Sequence, residues 1–383
     1  MPKTAEIIAD ALKEEGVELA FGIPGGEVLE LLDAFRRTGI RFVLTKQELG
    51  AGMMADATYQ LTGTPGVLVA TLGPGITNTT TAVAQAYLDR SAVLVLTGEI
   101  ATPIKAVYTH QIIDHESLLR PIVKWTTTVA AHGAYEQVRK GIAIAKTAMP
   151  GPVHFNMPTD VAPAEQRVGH RFTPVVMPTA PAPEALARVA EWLQVAKRPL
   201  ALVGVGVQLD DACAELRQFI EQWRVPAVMT YKAKGAVPED HPLVMGATGL
   251  SPVVDKLHMA QLKNADLVLT IGFDPVELRA DWMAPWTEEK RTVNVDLVPN
   301  THHVYRSGIE YAGSIAGFLR GMNAMPAQRL PERWPDIEVE RYRESIANAV
   351  VQQPARGLGP YQVASTLRRV FPRDTIATID TGS

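Results

Sequence analysis

The sequence predicts an α/β protein with more than one doubly wound domain, and three observations carry that prediction. Short apolar, β-branched runs alternate with stretches of helical periodicity over most of the chain, which is the pattern of parallel strands joined by crossover helices. Several runs end in glycine- and proline-rich turns, at 22–26 and 73–78 among them, as loops at the carboxyl ends of such strands do. The length of 383 residues exceeds a typical domain of roughly 150 residues, so one core is too few.

Ile7, Ile8, Ala11 and Leu12 recur at helical spacing, and 18–21 then reads as a buried strand that stops at Gly22-Ile-Pro-Gly-Gly26. A helix over 28–37 and a strand over 41–45 follow. Next come a helix over 50–61, a strand over 66–71 stopping at Gly73-Pro-Gly75, a helix over 78–88 and a strand over 92–97. A strand over 151–157 closes this region, and the proline-rich stretch 168–183 has no apolar period, as a linker would. Beyond it, helices over 183–195, 210–223 and 253–262 alternate with strands over 199–204, 227–230, 265–271 and 292–296. A second linker is expected over 326–335, then a polar helix ending near Gln353. The last residues hold one helix over 360–371 and one strand over 374–380. A single helix and strand bury too little apolar surface to stand alone, so they read as the start of a third α/β domain in a fragment or truncated chain. Their order faintly echoes that of residues 4–22.

Composition narrows the function classes. Lys and Arg number 37 against 41 Asp and Glu, a formal charge of −4, which gives no electrostatic reason to expect a nucleic acid or an anionic membrane as partner. No apolar run nears the ~20 residues of a bilayer span. The one cysteine, Cys213, falls in the expected helix over 210–221 and excludes an internal disulfide and a cysteine zinc cluster. These readings fit a cytoplasmic location.

The most informative segment is Lys46-Gln-Glu48-Leu-Gly50-Ala-Gly52, directly after a strand and at the first turn of a helix. A glutamate there serves at minimum to complement the helix dipole. The neighbouring loops 22–25 and 73–78 are short on side chains and let a flat ligand approach the backbone, so a site at this sheet edge is expected. Other features read as structural. Gly204-Val-Gly206 has Leu209 in the third glycine position of the dinucleotide fingerprint and reads as a tight turn. His302 and His303 read as loop residues, His110 and His115 as hydrogen-bonding residues, and Met53, Met54, Trp282 and Trp286 as packing.

The chain resembles the thiamine diphosphate-dependent enzymes of the acetolactate synthase group. The resemblance rests on Phe21-Gly-Ile-Pro-Gly-Gly26, Gln47-Glu-Leu-Gly-Ala-Gly52, Leu61-Thr-Gly-Thr-Pro-Gly-Val67, Gly73-Pro-Gly-Ile-Thr-Asn78, Thr109-His-Gln111 with Asp114, and Gly151-Pro-Val-His-Phe-Asn-Met-Pro158. Each motif alone is weak; six in order over about 150 residues are not. The resemblance implies a parallel-sheet pyrimidine-binding domain over 1–165, a Rossmann-like central α/β domain over 183–325, and the incomplete start of a diphosphate-binding domain over 355–383. It implies that Glu48 is the catalytic acid that hydrogen-bonds N1′ of the aminopyrimidine and favours the tautomer that deprotonates thiazolium C2. It places Ile23, Pro24, Gly25, Glu48, Pro74 and Asn78 at the cofactor and Gln111 toward a 2-oxo acid substrate.

The family's metal motif, Gly-Asp-Gly with a downstream Asn, does not occur after Pro360, so no metal ligand is assigned here and Mg²⁺ is expected in the missing part of the third domain. Where biosynthetic members carry an arginine in their FAD-binding segment, this chain has Gly272 in Ile271-Gly-Phe-Asp-Pro-Val-Glu277. That departure resembles the FAD-independent catabolic acetolactate synthases and leaves FAD doubtful. The implied reaction joins two pyruvates into acetolactate and CO₂ in a homodimer or homotetramer, although this chain is expected to be inactive alone. Two alternatives stay open: a 2-oxo acid decarboxylase or other carboligase on the same scaffold, and a non-catalytic assembly module.

Overall fold

A computed structural model describes residues 1–168, 181–287, 289–327, 333–351 and 356–378. The chain divides into two compact units, Met1–Val175 and Val176–Ser383. In the first, β1 (Leu19–Gly22), β2 (Arg41–Leu44), β3 (Gly66–Ala70), β4 (Val93–Glu99), β5 (Trp125–Thr128) and β6 (Val153–Pro158) form one sheet in the order β2-β1-β3-β4-β6-β5. Every pairing is parallel. Strands β3, β4 and β6 are buried along their whole length, which explains their near-continuous apolar runs, since helices cover both faces.

Alternate side chains serve the two faces. Val67, Val69, Leu94 and Leu96 pack with Ile8, Leu12, Phe35 and Val138 on one side, while Leu68, Val93 and Val95 pack with Ala51, Ala55, Val83 and Leu119 on the other. Between 100 and 150 the structure adds β5 and the helices His115–Leu119 and Ala134–Lys146, none of which stands out in the sequence. Met53 and Met54, read as packing residues, are instead 38% and 45% exposed. Their helix turns its small residues, Ala51, Gly52 and Ala55, inward.

In the second unit β7 (Pro199–Val203), β8 (Ala227–Thr230), β9 (Val244–Thr248), β10 (Leu267–Ile271), β11 (Arg291–Asp296) and β12 (Ile309–Ala312) are ordered β12-β11-β10-β7-β8-β9, all parallel. This is the strand order of the Rossmann fold. Trp282 and Trp286 belong to its core, as expected of packing residues. The expected helix over 210–223 starts at Cys213 and runs to Trp223, and a short helix, Gly206–Leu209, precedes it.

The second expected linker is not a linker where it is described. Arg333 and Trp334 are each 1% exposed, and helix Asp336–Val350 buries Val339 and Tyr342. The Tyr342 hydroxyl lies 2.8 Å from Nδ1 of His258, in helix Pro252–Asn264. The part of the first linker over 169–180 lies outside the described residues. Helix Pro360–Val370 buries no residue. The strand expected over 374–380 is absent from 374–378, where no neighbouring strand offers a ladder, and its last two residues lie outside the described residues. Among the described residues no helix is long and apolar enough to cross a membrane.

Candidate active site

In the first sheet β2 lies on one side of β1 and β3 on the other, so the strand order reverses at β1/β3. The carboxyl ends of the strands at such a reversal form the ligand crevice of doubly wound folds. Three loops open there, Ile23–Gly25 after β1, Thr45–Gln47 after β2 and Thr71–Gly73 after β3. Thr45 ties the first two together: its N–H and hydroxyl donate to the Gly22 carbonyl at 3.0 and 3.2 Å.

Glu48 is the first residue of helix Glu48–Thr62, after an extended Gln47 at the N-cap. The helix starts two residues earlier than its apolar period suggests, because a carboxylate suits the positive end of the helix dipole. Asn78 Nδ2 donates to Glu48 Oε2 at 2.6 Å. This bond crosses 30 residues of sequence and holds the carboxylate against the loop after β3. Among the described residues Oε1 receives no donor, and it faces Gly75: a Cβ built there would sit 3.7 Å from Oε1 and only 2.4 Å from Thr71 Oγ1. A Cβ on Gly25 would meet Thr71 Cγ2 at 2.3 Å. Thr71 therefore packs against both glycines and sets the spacing of the two loops, a role its sequence context does not reveal.

The other predicted residues surround this point. Ile23 and Gly25 are half-buried and Pro24 is exposed. Pro74 opens the short helix Pro74–Thr77 and is exposed, as is Asn78. Gln111 is exposed with φ of 58°, and its carbonyl oxygen and Cβ lie 2.7 and 2.8 Å from where a Cβ on Gly73 would stand. Gly73, at φ of 59°, is thus glycine for two reasons, its left-handed backbone and the closeness of Gln111. The structure gathers Glu48, Asn78, Gly75, Thr71 and Gly25 around one open carboxylate oxygen and seats Gln111 beside the same loop.

The second sheet reverses at β7/β10, but its crevice is filled from within. A Cβ on Gly204 would lie 2.3 Å from the Gly272 carbonyl oxygen, so the two loops touch backbone to backbone. Glu277, 1% exposed, occupies the space between the ends of β7 and β8. Its Oε1 accepts from Val205 N–H at 3.2 Å and its Oε2 from the Thr230 hydroxyl. His302 and His303 are loop residues, and the described residues contain no cluster of three or more metal-ligating side chains.

Burial raises the Glu277 carboxyl from its ordinary 4.5 to about 7. Between those values the unfolded chain is ionised while the folded chain still holds the proton, so the native state binds more protons and loses stability as pH rises. The loss is complete above about 7 and amounts to about 3 kcal/mol. Glu277→Gln keeps an acceptor for Val205 and removes this titration. Urea denaturation from pH 4.5 to 8 should show the variant gaining on the unsubstituted protein across that window. Parallel profiles would rule the burial of this acid out as the cause.

Comparison with known proteins follows the division into units. Residues 2–118 match the N-terminal TPP-binding domain of thiamine pyrophosphate enzymes, and residues 186–322 match the central domain of the same enzymes. The acetolactate synthase large subunit of Corynebacterium glutamicum is 34% identical over 392 residues, covering 97% of this chain and 61% of that protein. The isozyme 3 large subunit of Escherichia coli is 27% identical over 395 residues, covering 99% and 68%. A Methanocaldococcus jannaschii protein described as an acetolactate synthase large subunit is 33% identical over 334 residues, and this chain spans 56% of its length. A solved structure from Mycobacterium smegmatis, described as a thiamin diphosphate-dependent enzyme, superposes with a TM-score of 0.72 at 24% identity, covering 86% of this chain and 64% of that one, and supports the fold. With matches to two domains of one enzyme class, one in each unit, and acetolactate synthase large subunits among its relatives, the chain belongs to the thiamine diphosphate-dependent acetolactate synthase family.

Proposed function

We propose that this chain carries the pyrimidine-binding and central domains of a carboligase that condenses two molecules of pyruvate into acetolactate with loss of CO₂. One observation carries the reading: at the β1/β3 reversal a single carboxylate, Glu48, is held by Asn78 through one oxygen and presents the other to a glycine-lined opening. Thiamine diphosphate, when bound, supplies an acidic C2–H and, after its ionisation, a nucleophilic carbon for a 2-oxo acid. Glu48 would hold and return the proton at the pyrimidine edge, the task of a positioned general acid–base. Ile23, Pro24 and Gly25 would line one side of the pyrimidine and Pro74 and Asn78 the other, with Gln111 facing the substrate. The diphosphate and Mg²⁺ are assigned to a third domain of which residues 355–383 would be the first elements. The filled β7/β10 crevice supports a protein that works without FAD, and the composition suits the cytoplasm. Incubation with pyruvate, thiamine diphosphate and Mg²⁺ of a protein that joins this chain to a complete diphosphate-binding domain tests the reaction: acetolactate is the expected product there and none from this chain alone, and free acetaldehyde alone would replace this reading with a decarboxylase.

The exposed apolar residues of the helices flanking the site bear on assembly. Met53, Met54, Leu61 and Leu88 are between 38% and 85% exposed on helices Glu48–Thr62 and Thr80–Leu88, and a second copy would cover them, giving a homodimer or a homotetramer. Light scattering at micromolar concentration should give at least a dimer, and Met54→Glu should shift it toward monomer. A monomeric unsubstituted protein would reject this surface as an interface.

A further inference from the structure

Beneath the loop that carries Asn78 lies a buried polar chain that the proposed chemistry does not use. It begins at Glu99, the last residue of β4, 1% exposed. Its Oε1 accepts from Ile100 N–H at 2.9 Å, and its Oε2 accepts from Lys105 Nζ at 2.7 Å and from Asn156 Nδ2 at 3.0 Å. Burial would raise this carboxyl, but the hydrogen bonds from Lys105, Asn156 and Ile100 outweigh it and hold the group below its ordinary range. An ionised carboxylate only accepts, so it turns the Asn156 amide nitrogen toward itself and the amide oxygen away. That oxygen accepts from the Thr97 hydroxyl at 3.0 Å and lies 2.9 Å from Nδ1 of His115.

The consequence for His115 is definite. The side chain is 2% exposed, and its Nδ1 must donate because Asn156 Oδ1 only accepts. In the neutral ring Nε2 then keeps its lone pair, and the Gly73 N–H points at it from 3.4 Å. Gly73 caps the short helix Pro74–Thr77, whose next residue is Asn78. The backbone of Gln111 packs on the other side of Gly73, and Lys105 is six residues before Gln111 in the same segment. Glu99, Asn156 and His115 thus connect the loop after β3 to the segment after β4.

We propose that His115, with its proton on Nδ1, is a positioning residue that sets the Gly73–Asn78 loop and so the seat of Asn78 on Glu48, in register with the Lys105–Gln111 segment. The effect on catalysis rests on the role proposed for Glu48; the tautomer and the hold on Gly73 do not.

Two readouts use the cofactor-free protein. Nitrogen-15 NMR should show, for the one of nine histidines whose signals vanish in His115→Gln, a protonated Nδ1 and a bare Nε2. A proton on Nε2 would overturn the proposal. Hydrogen exchange at the Gly73 amide should be slow in the unsubstituted protein and in His115→Gln, whose amide oxygen can take the place of Nε2, and roughly ten-fold or more faster in His115→Phe, which fills the space but accepts nothing. The third readout is hydrogen exchange at C2 of thiamine diphosphate bound to a protein that joins this chain to a complete diphosphate-binding domain, expected to fall roughly ten- to a hundred-fold in His115→Phe and to stay within about three-fold in His115→Gln. Equal losses in the two variants, or an unchanged Gly73 amide in His115→Phe, would reduce His115 to a packing residue. Should Glu48→Gln leave C2 exchange untouched, the reading of Glu48 falls, while the tautomer and amide results still judge His115.

Discussion

In a protein that joins this chain to a complete diphosphate-binding domain, Glu48→Gln should lower the rate of hydrogen exchange at C2 of bound thiamine diphosphate by roughly 10²–10⁴-fold, the range that a positioned general acid–base contributes. Asn78 decides how the substituted side chain sits. Its Nδ2 donates to one oxygen of Glu48, so in the variant it selects the amide oxygen as partner and leaves the amide NH₂ facing the opening. That group can donate a hydrogen bond to a ring nitrogen but cannot pass a proton to it or take one back. Cofactor affinity should therefore change little while the exchange rate collapses, the signature of an interaction used in the reaction rather than in binding. Glu48 is only half-buried, so the loss of stability should stay below about 1 kcal/mol. NMR of C2–H exchange with matched cofactor occupancy makes the measurement. An unchanged rate would take Glu48 out of the mechanism.

Much of the fold was legible because the inner strands are buried on both faces. Gly66–Ala70 and Val93–Glu99 are apolar or β-branched almost throughout, and no other element in a chain of this composition explains such runs. Two edge strands, β5 and β12, were not legible for the opposite reason. Trp125–Thr128 is half-buried throughout, and Ile309–Ala312 alternates between half-buried and exposed, so neither shows the continuous apolar run that marks the inner strands. A helix start shifted where a charge, rather than apolar period, sets the first turn, as at Glu48.

The site divides in the same way. Glu48, Gly25, Pro74 and Asn78 carry the motifs through which the chain resembles its family, and their loops meet at the strand reversal. Thr71 matters through contacts with Gly25 and Gly75 that no local pattern encodes. His115 was legible as a hydrogen-bonding residue; its partners, Asn156 and Gly73, lie 41 and 42 residues away and emerge only when β6 and the loop after β3 are brought together.

The segment 333–334 is the sharpest departure of structure from sequence, and Arg333→Met should expose it by lowering the unfolding temperature of the second unit by roughly 10 °C. Proline and charge on either side make the segment read as a solvated linker, yet the Arg333 guanidinium is buried with three carbonyls as its partners. Its Nε donates to Ala196 at 3.0 Å, its Nη1 to Trp223 at 2.8 Å, and its Nη2 to Leu193. Those carbonyls are at the carboxyl ends of helices Pro183–Val195 and Cys213–Trp223, where carbonyls lack partners within the helix and the dipole favours a cation. Arg224 answers from the end of the second helix, donating to the carbonyls of Arg333 and Trp334 at 3.0 and 2.7 Å. Trp334 Nε1 donates to Pro199 at the start of β7. Methionine would fill much of the space and leave the three carbonyls buried without donors, a cost of about 3 kcal/mol or more. For a unit of this size each kcal/mol moves the midpoint by roughly 2–4 °C. Five of the six tryptophans, all but Trp125, belong to the second unit, so their fluorescence follows its unfolding. Arg333→Lys should recover only part of the loss, because one ammonium lacks the planar fork that reaches three carbonyls. A shift below about 2 °C in Arg333→Met would mean that the helix ends find water or other donors, and that the segment is the linker its composition suggests.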